Sequence, residues 1–120
     1  MNPIGFAMDQ LVAMNPVSFK KMAHGDPMGL KELAFDYFND TRRKMTGWSA
    51  MIQQGDYKSL REELHRCKGG ASLFGLERLV AIIGSCESAS VLEKRGFDLN
   101  LFERELTAAE NAVNEFVAGL

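Results

Sequence analysis

Apolar residues recur every three or four positions along most of this chain, which is the spacing of amphipathic helices and not of strands. The first strong stretch begins at Asp26-Pro27, because aspartate suits an N-cap and proline suits the first helical turn, and it ends near Gly55. Its apolar positions are Leu30, Leu33, Ala34, Tyr37, Phe38, Met45, Trp48 and Ile52. The pattern therefore predicts one long amphipathic helix.

Three further helical stretches follow. The second starts at Asp56, and Gly75 closes or kinks it. The third runs from Leu76 to about Arg95, and Asp98 caps the fourth. Their apolar positions are Leu60, Leu64, Cys67, Ala71 and Phe74, then Leu76, Leu79, Ile83 and Cys86, then Leu99, Phe102, Leu106, Ala109, Val113 and Phe116.

Four helices with short connections and one apolar stripe each predict an all-α fold, an antiparallel up-down four-helix bundle over residues 26–120. Residues 1–25 are expected to form a helical cap or arm and not a separate domain. Within them, Asn15-Pro16 can start a short helix that continues through Ala23. The apolar residues expected to cover one end of the bundle are Phe6, Met8, Leu11 and Val12.

Composition narrows the class of protein. With 120 residues, 46% hydrophobic and 25% charged, the chain fits one globular domain. A net charge of −2 and the lack of a long basic run argue against binding to nucleic acid. The longest apolar run, 79–83, is too short to span a bilayer. Since no signal peptide is evident, we expect a monomer in the reducing cytoplasm, with Cys67 and Cys86 as buried thiols.

Candidate chemistry concentrates on the second predicted helix. At about 100° per residue, Arg61, His65, Lys68 and Ser72 fall within about 60° of one another, beside the apolar stripe. His65 is therefore expected at the solvent edge of the core, with a basic residue one turn away on either side.

Two glycines interrupt this helix. Gly69 and Gly70 each cost roughly 1 kcal/mol relative to alanine in a helix interior. Gly69 lies one turn beyond His65, so its missing side chain clears space beside the imidazole and suggests close approach by a partner. The other reading is that glycine admits a tightly packed neighbouring helix, and we prefer it for Gly70 and Gly75.

The run His65-x-x-Lys68-Gly69, with Gly75 ten residues after the histidine and Leu79 beyond it, resembles the signature of histidine phosphotransfer (HPt) domains. The resemblance covers the whole predicted bundle. It implies a four-helix bundle with an exposed histidine phosphorylated on Nε2. In that family the matching lysine lies near the phosphoryl group, and the matching glycine admits the partner.

The resemblance also draws attention to Glu87. The position twenty-two residues after the histidine is commonly Gln or Glu in the family and bonds the imidazole. If Glu87 accepts a hydrogen bond from Nδ1–H of His65, the ring keeps an unprotonated, outward Nε2 that can attack phosphorus. The same carboxylate would stabilise positive charge on the ring.

The other polar residues on this helix have expected roles around the phosphoryl group. Lys68 is expected to neutralise phosphoryl oxygens, and Ser72 to donate a hydrogen bond to them. Arg61 and Arg66 are expected to steer an acidic receiver surface. With no glycine-rich nucleotide loop and no Mg²⁺ cage in the sequence, the chain is expected to be a phosphoryl carrier without an ATP site or a cofactor of its own. The resemblance implies that the receiver supplies Mg²⁺.

The leading hypothesis is thus a phosphorelay intermediate. Its partners would be response-regulator receiver domains and a sensor histidine kinase, which can be a hybrid kinase. Two alternatives stay open: an adaptor that docks a receiver or kinase through the Gly69 face without phosphorylation, and a metal- or cofactor-binding bundle enzyme. Metal binding has little support, because His24 and His65 are far apart and no ligands cluster.

Overall fold

The computed structural model describes residues 10–120, and within that range the chain forms six α-helices and no strand. The fold is all-α, as the hydrophobic spacing predicts. The helices are α1 (Pro16–Ala23), α2 (Pro27–Gln54), α3 (Tyr57–Leu73), α4 (Glu77–Gly84), α5 (Ala89–Arg95) and α6 (Leu99–Ala118).

The helices α2, α3, α4 and α6 form the bundle. The long α2 packs against α3 on one side and α6 on the other, and α4 closes the ring by packing against both α3 and α6. The short α5 lies against α3, and α1 lies against α2. Helix α3 is therefore held by three neighbours, which fixes the side chains that it presents to solvent.

Helix starts follow the predicted caps. The side chains of Asp26, Asp56 and Asp98 each accept a hydrogen bond from the backbone N–H three residues later, at 3.0, 3.2 and 2.9 Å. Each cap satisfies an N–H group that has no partner within the helix. The predicted starts of α2, α3 and α6 are thus confirmed.

Gly75 closes α3. Its φ of +72° is a left-handed conformation that glycine adopts without steric cost. The N–H of Leu76 donates to the carbonyl of Ala71 at 2.9 Å, and the N–H of Gly75 donates to the carbonyl of Ser72 at 3.2 Å. These two hydrogen bonds together form a Schellman motif, after which the chain turns directly into α4.

The prediction of one helix from Leu76 to Arg95 is wrong: this stretch forms α4 and α5, separated by residues 85–88. The serines explain the break, since their hydroxyls compete for backbone groups. Ser85 Oγ donates to the carbonyl of Ile82 at 2.7 Å, and Ser88 Oγ accepts from the N–H of Val91 at 3.2 Å as the N-cap of α5.

Leu33 is a second correction, because it was expected on the apolar stripe of α2 and is 59% exposed. Its neighbours Leu30 and Ala34 are buried. At about 100° per residue, Leu33 lies roughly 60° from Leu30, on the side away from the buried positions of α2. A spacing of three was therefore not enough to place it in the core.

The chain before α2 is fastened to the turn that follows α3. The backbone N–H of Asn15 donates to the carbonyl of Gly75 at 2.8 Å, and its side-chain amide donates to Glu77 Oε2 at 2.8 Å. Phe19 of α1 is fully buried and meets Phe116 edge-on, with ring centroids 5.8 Å apart. The short helix predicted from Pro16 to Ala23 is confirmed.

The predicted apolar cover has a mixed outcome. Leu11 is half-buried and Val12 is 43% exposed, whereas Phe6 and Met8 lie outside the described residues. The boundary between an arm at 1–25 and a bundle at 26–120 stays a prediction.

The core contains an aromatic cluster around the single tryptophan. Trp48 is fully buried, and its ring lies 6.3 Å from that of Phe97 and 5.5 Å from that of Phe102. Its indole N–H has no hydrogen-bond partner among residues 10–120.

Over the same residues, no helix is long and apolar enough to cross a membrane.

Candidate functional site

His65 lies in the middle of α3 and is exposed to solvent. The buried face of this helix consists of Leu60, Leu64, Cys67 and Ala71. His65 directly follows a buried leucine, so its Cα is at the rim of the core while its imidazole is reachable from outside. This is the geometry expected of a side chain that reacts with another protein.

Across a narrow crevice from α3 lies Glu87, in the turn between α4 and α5. His65 and Glu87 line this crevice together with Arg61, and the apolar side chains of Leu64, Ile83 and Cys86 form the rest of its wall. Because Glu87 belongs to neither helix, its position depends on the break in the third predicted helix.

Within residues 10–120, the Glu87 carboxylate bonds to Lys68 and not to the imidazole. Lys68 Nζ donates to Glu87 Oε1, and the two side chains are 31% and 44% exposed. The expected bond from Nδ1–H of His65 to Glu87 is therefore absent from the described hydrogen bonds. The carboxylate nevertheless faces the same crevice as the ring.

The pairing with Lys68 has an electrostatic consequence. The hydrogen bond and the positive charge of Lys68 lower the pKa of Glu87 from its usual 4.5, and His65 and Arg61 add smaller effects in the same direction. Glu87 is therefore ionised throughout the neutral range. The site joins a carboxylate and an ammonium beside an imidazole.

Arg61 reaches the same turn from the other side of His65. Its Nε donates to the backbone carbonyl of Glu87 at 2.9 Å. Arg61 was expected to steer a partner, and that role stays a prediction; within the chain, its guanidinium makes this contact. Arg61 and Lys68, one turn before and one turn after the histidine, thus both hold Glu87.

The two central glycines of α3 differ in their surroundings. A Cβ placed on Gly69 would meet nothing within 4 Å, so this stretch of backbone lies open beside His65. A Cβ on Gly70 would clash with the ring of Tyr37, whose hydroxyl donates to the carbonyl of Cys67 at 2.8 Å. The preferred reading of Gly70 as a helix-packing residue agrees with this contact.

Arg66 and Ser72 are the remaining candidates on α3. Arg66 is 67% exposed and lines an open groove beside His65, and it pairs with the half-buried Glu63 at 3.1 Å. Ser72 is exposed, but it stands seven residues after the histidine, about 10 Å along the helix axis. Its expected hydrogen bond to a phosphoryl group stays a prediction.

Comparison with known proteins bears on this arrangement. The chain matches the family described as Hpt domain over residues 30–118, which include the whole of α3, α4, α5 and α6 and nearly all of α2. The chain belongs to the Hpt domain family. No curated protein and no solved structure gives a significant match.

Membership in the Hpt family fixes the general function. Hpt domains serve histidine phosphotransfer in two-component signalling, where they work with kinases and receivers as phosphocarrier modules and not as ATP-binding catalysts. The resemblance inferred from His65, Lys68, Gly69 and Gly75 is thereby confirmed at the level of the family. The role of each individual side chain stays a prediction.

Sequence reasoning missed two contacts of this Hpt domain: the Arg61–Glu87 bond and the Lys68–Glu87 pair. Both join α3 to the turn at residues 85–88. The sequence pattern had predicted a continuous helix through these residues. The signal that could have revealed this turn is Gly84-Ser85 followed by Ser88, a helix end and a new N-cap within five residues.

Both cysteines of the Hpt domain are free and buried. Burial raises the pKa of Cys86 to about 11 and raises that of Cys67 as well, so neither thiol forms the reactive thiolate readily. No group of three or more His, Cys, Asp or Glu side chains is placed to hold a metal ion in the part of the chain that the structure describes.

Proposed function

We propose that the protein is a phosphorelay intermediate that carries a phosphoryl group on Nε2 of His65 between receiver aspartates, or from a sensor kinase to a receiver. The observation that carries this proposal is the exposed imidazole of His65 beside the open backbone of Gly69, with the ammonium of Lys68 one turn away. A second protein can approach the ring at this surface without meeting a side chain at position 69.

The chemistry requires no residue beyond those present and the donor itself. The lone pair of Nε2 attacks phosphorus as the bond to the donor's carboxylate oxygen breaks, and the carboxylate leaves with the electron pair. Nδ1 keeps its proton, so the ring carries a positive charge in phosphohistidine. A nearby anion such as Glu87 favours that charge, and a cation such as Lys68 favours the phosphoryl oxygens.

Mg²⁺ belongs to the receiver in this proposal, and the chain needs no cofactor of its own. We also propose that the protein works as a monomer in the cytoplasm, since a reducing compartment suits its two free cysteines. Gly69, Ser72 and Arg66 are proposed to lie within the receiver-docking surface on α3.

Transfer of radiolabelled phosphate tests the proposal. Receiver domains from the source genome are phosphorylated with labelled acetyl phosphate and Mg²⁺ and then mixed with the protein. We expect acid-labile, alkali-stable label on the wild type and none on His65→Gln. Label that persists in the variant would remove His65 as acceptor, and binding without label across the whole receiver panel would favour the adaptor alternative.

Replacement of Glu87 tests the role of the carboxylate. We expect Glu87→Ala to slow transfer about three- to tenfold while its circular dichroism spectrum stays that of the wild type, because the exposed side chain serves the site and not the core. An unchanged transfer rate would mean that Glu87 neither orients the ring nor places Lys68.

A further inference from the structure

Arg61 contacts a backbone group that is available only because the chain leaves the helix there. In a continuous helix, the carbonyl of Glu87 would accept a bond from the N–H four residues later. Here Glu87 lies between α4 and α5, and its carbonyl accepts from Arg61 Nε at 2.9 Å instead.

The side chain of the same residue is held from the opposite direction. The carboxylate of Glu87 accepts from Nζ of Lys68, which stands seven residues after Arg61 on the same face of α3. The connection runs from Arg61 through the backbone and carboxylate of Glu87 to Lys68, and it passes alongside His65, which shares the crevice with Arg61 and Glu87.

We propose that Arg61 is a positioning residue for phosphotransfer, which anchors the 85–88 turn so that Glu87 holds Lys68 beside His65. The inference rests on the proposed function, because it assigns a residue to the transfer step at His65. It replaces the expectation that Arg61 steers an acidic partner surface.

The physical basis is the flexibility of lysine. A lysine side chain has four rotatable bonds, and a partly exposed ammonium samples many positions unless something fixes it. The Glu87 carboxylate limits Lys68 to the neighbourhood of His65 before any phosphoryl group arrives. When phosphoryl oxygens appear on Nε2, Lys68 turns to them over a short distance, and Glu87 remains beside the positively charged ring.

Saturation kinetics of Arg61→Gln test this role. A phosphorylated receiver that labels the wild type is titrated, and the rate constant at saturation is separated from the KM. We expect the saturating rate constant to fall about three- to tenfold and the KM to change less than twofold. Arg43→Gln, which removes an exposed arginine paired with Asp40 on α2, is the control and should leave both values within twofold of the wild type.

A raised KM with an unchanged saturating rate constant would overturn the proposal, because it would make Arg61 a docking cation. Circular dichroism and a urea unfolding curve establish that each variant is folded under the assay conditions. A wild type that takes no label would refute the phosphotransfer function, whereas a labelled wild type with unchanged Arg61→Gln kinetics would refute only the role of Arg61.

A double-mutant cycle tests whether Arg61 acts through Glu87. In the Glu87→Ala background, we expect Arg61→Gln to lower the saturating rate constant by less than twofold, since the carboxylate that it positions is gone. If the two substitutions instead multiply to their full separate losses, Arg61 acts independently of Glu87 and the proposal fails.

Discussion

Gly69 and Gly70 are adjacent, yet the structure gives them opposite reasons to lack a side chain. Open space surrounds the first, and the ring of Tyr37 fills the space beside the second. Since both lie inside α3, alanine improves helix propensity equally at the two positions. A comparison of alanine at the two positions therefore separates the effect of each glycine on stability and on phosphotransfer.

We expect Gly69→Ala to raise the free energy of unfolding by about 0.5–1 kcal/mol and to slow phosphotransfer, because the added methyl group stands where a partner approaches. Gly70→Ala should lower the free energy of unfolding by about 1–3 kcal/mol, since Tyr37 must move. Urea unfolding followed by circular dichroism measures both values. A Gly69→Ala variant with full transfer activity would mean that bare backbone is not needed there.

The Lys68–Glu87 pair makes stability depend on pH. Lys68 lowers the pKa of Glu87 in the folded protein below the usual 4.5. The ionised pair therefore stabilises the fold fully above pH 4.5, and the contribution is lost as pH falls through the lower folded value.

We expect the wild type to be more stable than Glu87→Gln at pH 7, with a difference that shrinks as the pH drops below 4.5. Urea unfolding at a series of pH values from 7 to 3 measures this difference, with Glu62→Gln, an exposed carboxylate on α3, as control. A difference that stays constant over this range would contradict the ion pair.

Helical elements were predictable wherever their signals are local. The caps at Asp26, Asp56 and Asp98 act on the N–H three residues later, so the sequence contains the whole interaction. The split of the third helix was missed because the apolar period continues into the break itself: Cys86 lies within residues 85–88 and is buried, as is Leu92 of α5.

The sequence predicts which residues make up the candidate site, but it does not predict which of them contact each other. His65, Lys68 and Gly69 lie on one helix, so their mutual arrangement follows from helical geometry alone. The position of Glu87 depends on how α4 ends and how the turn packs against α3. That is a tertiary property, and the family pattern suggested a different partner for the carboxylate.

The α4–α5 break yields a test at the scale of an element. Ser88→Ala removes the N-cap of α5, and we expect the free energy of unfolding to fall by about 1 kcal/mol, with slower transfer because the turn that carries Glu87 loosens. Glu93→Ala, at an exposed position later in α5, should change the free energy of unfolding by less than 0.5 kcal/mol, roughly the effect of an ordinary surface substitution. Equal losses from the two variants would refute the capping role.

At the scale of the whole molecule, Asn15 links the N-terminal segment to the end of the histidine helix. Its side chain caps α1 by accepting from Val17 and Ser18 at 3.0 and 3.2 Å, and it donates to Glu77 of α4. Its backbone N–H bonds Gly75. One residue thus joins α1 to the turn between α3 and α4.

We expect Asn15→Ala to lower the free energy of unfolding by about 1–2 kcal/mol, because it removes the cap of α1 and the bond to Glu77 together. Asn111→Ala, at an exposed position within α6, is the control and should have little effect. If the two variants unfold at the same urea concentration, the side-chain bonds of Asn15 contribute nothing to the stability of the bundle.

The lone indole in the aromatic cluster gives the molecule a built-in optical probe. Trp48 is shielded from water and lies against Phe97 and Phe102, so its fluorescence in the native state should be blue-shifted and should move to longer wavelength when the bundle opens. Because this side chain is buried in the core, a docked receiver does not touch it. Emission therefore reports the integrity of the bundle independently of what happens at the proposed phosphoryl-accepting surface.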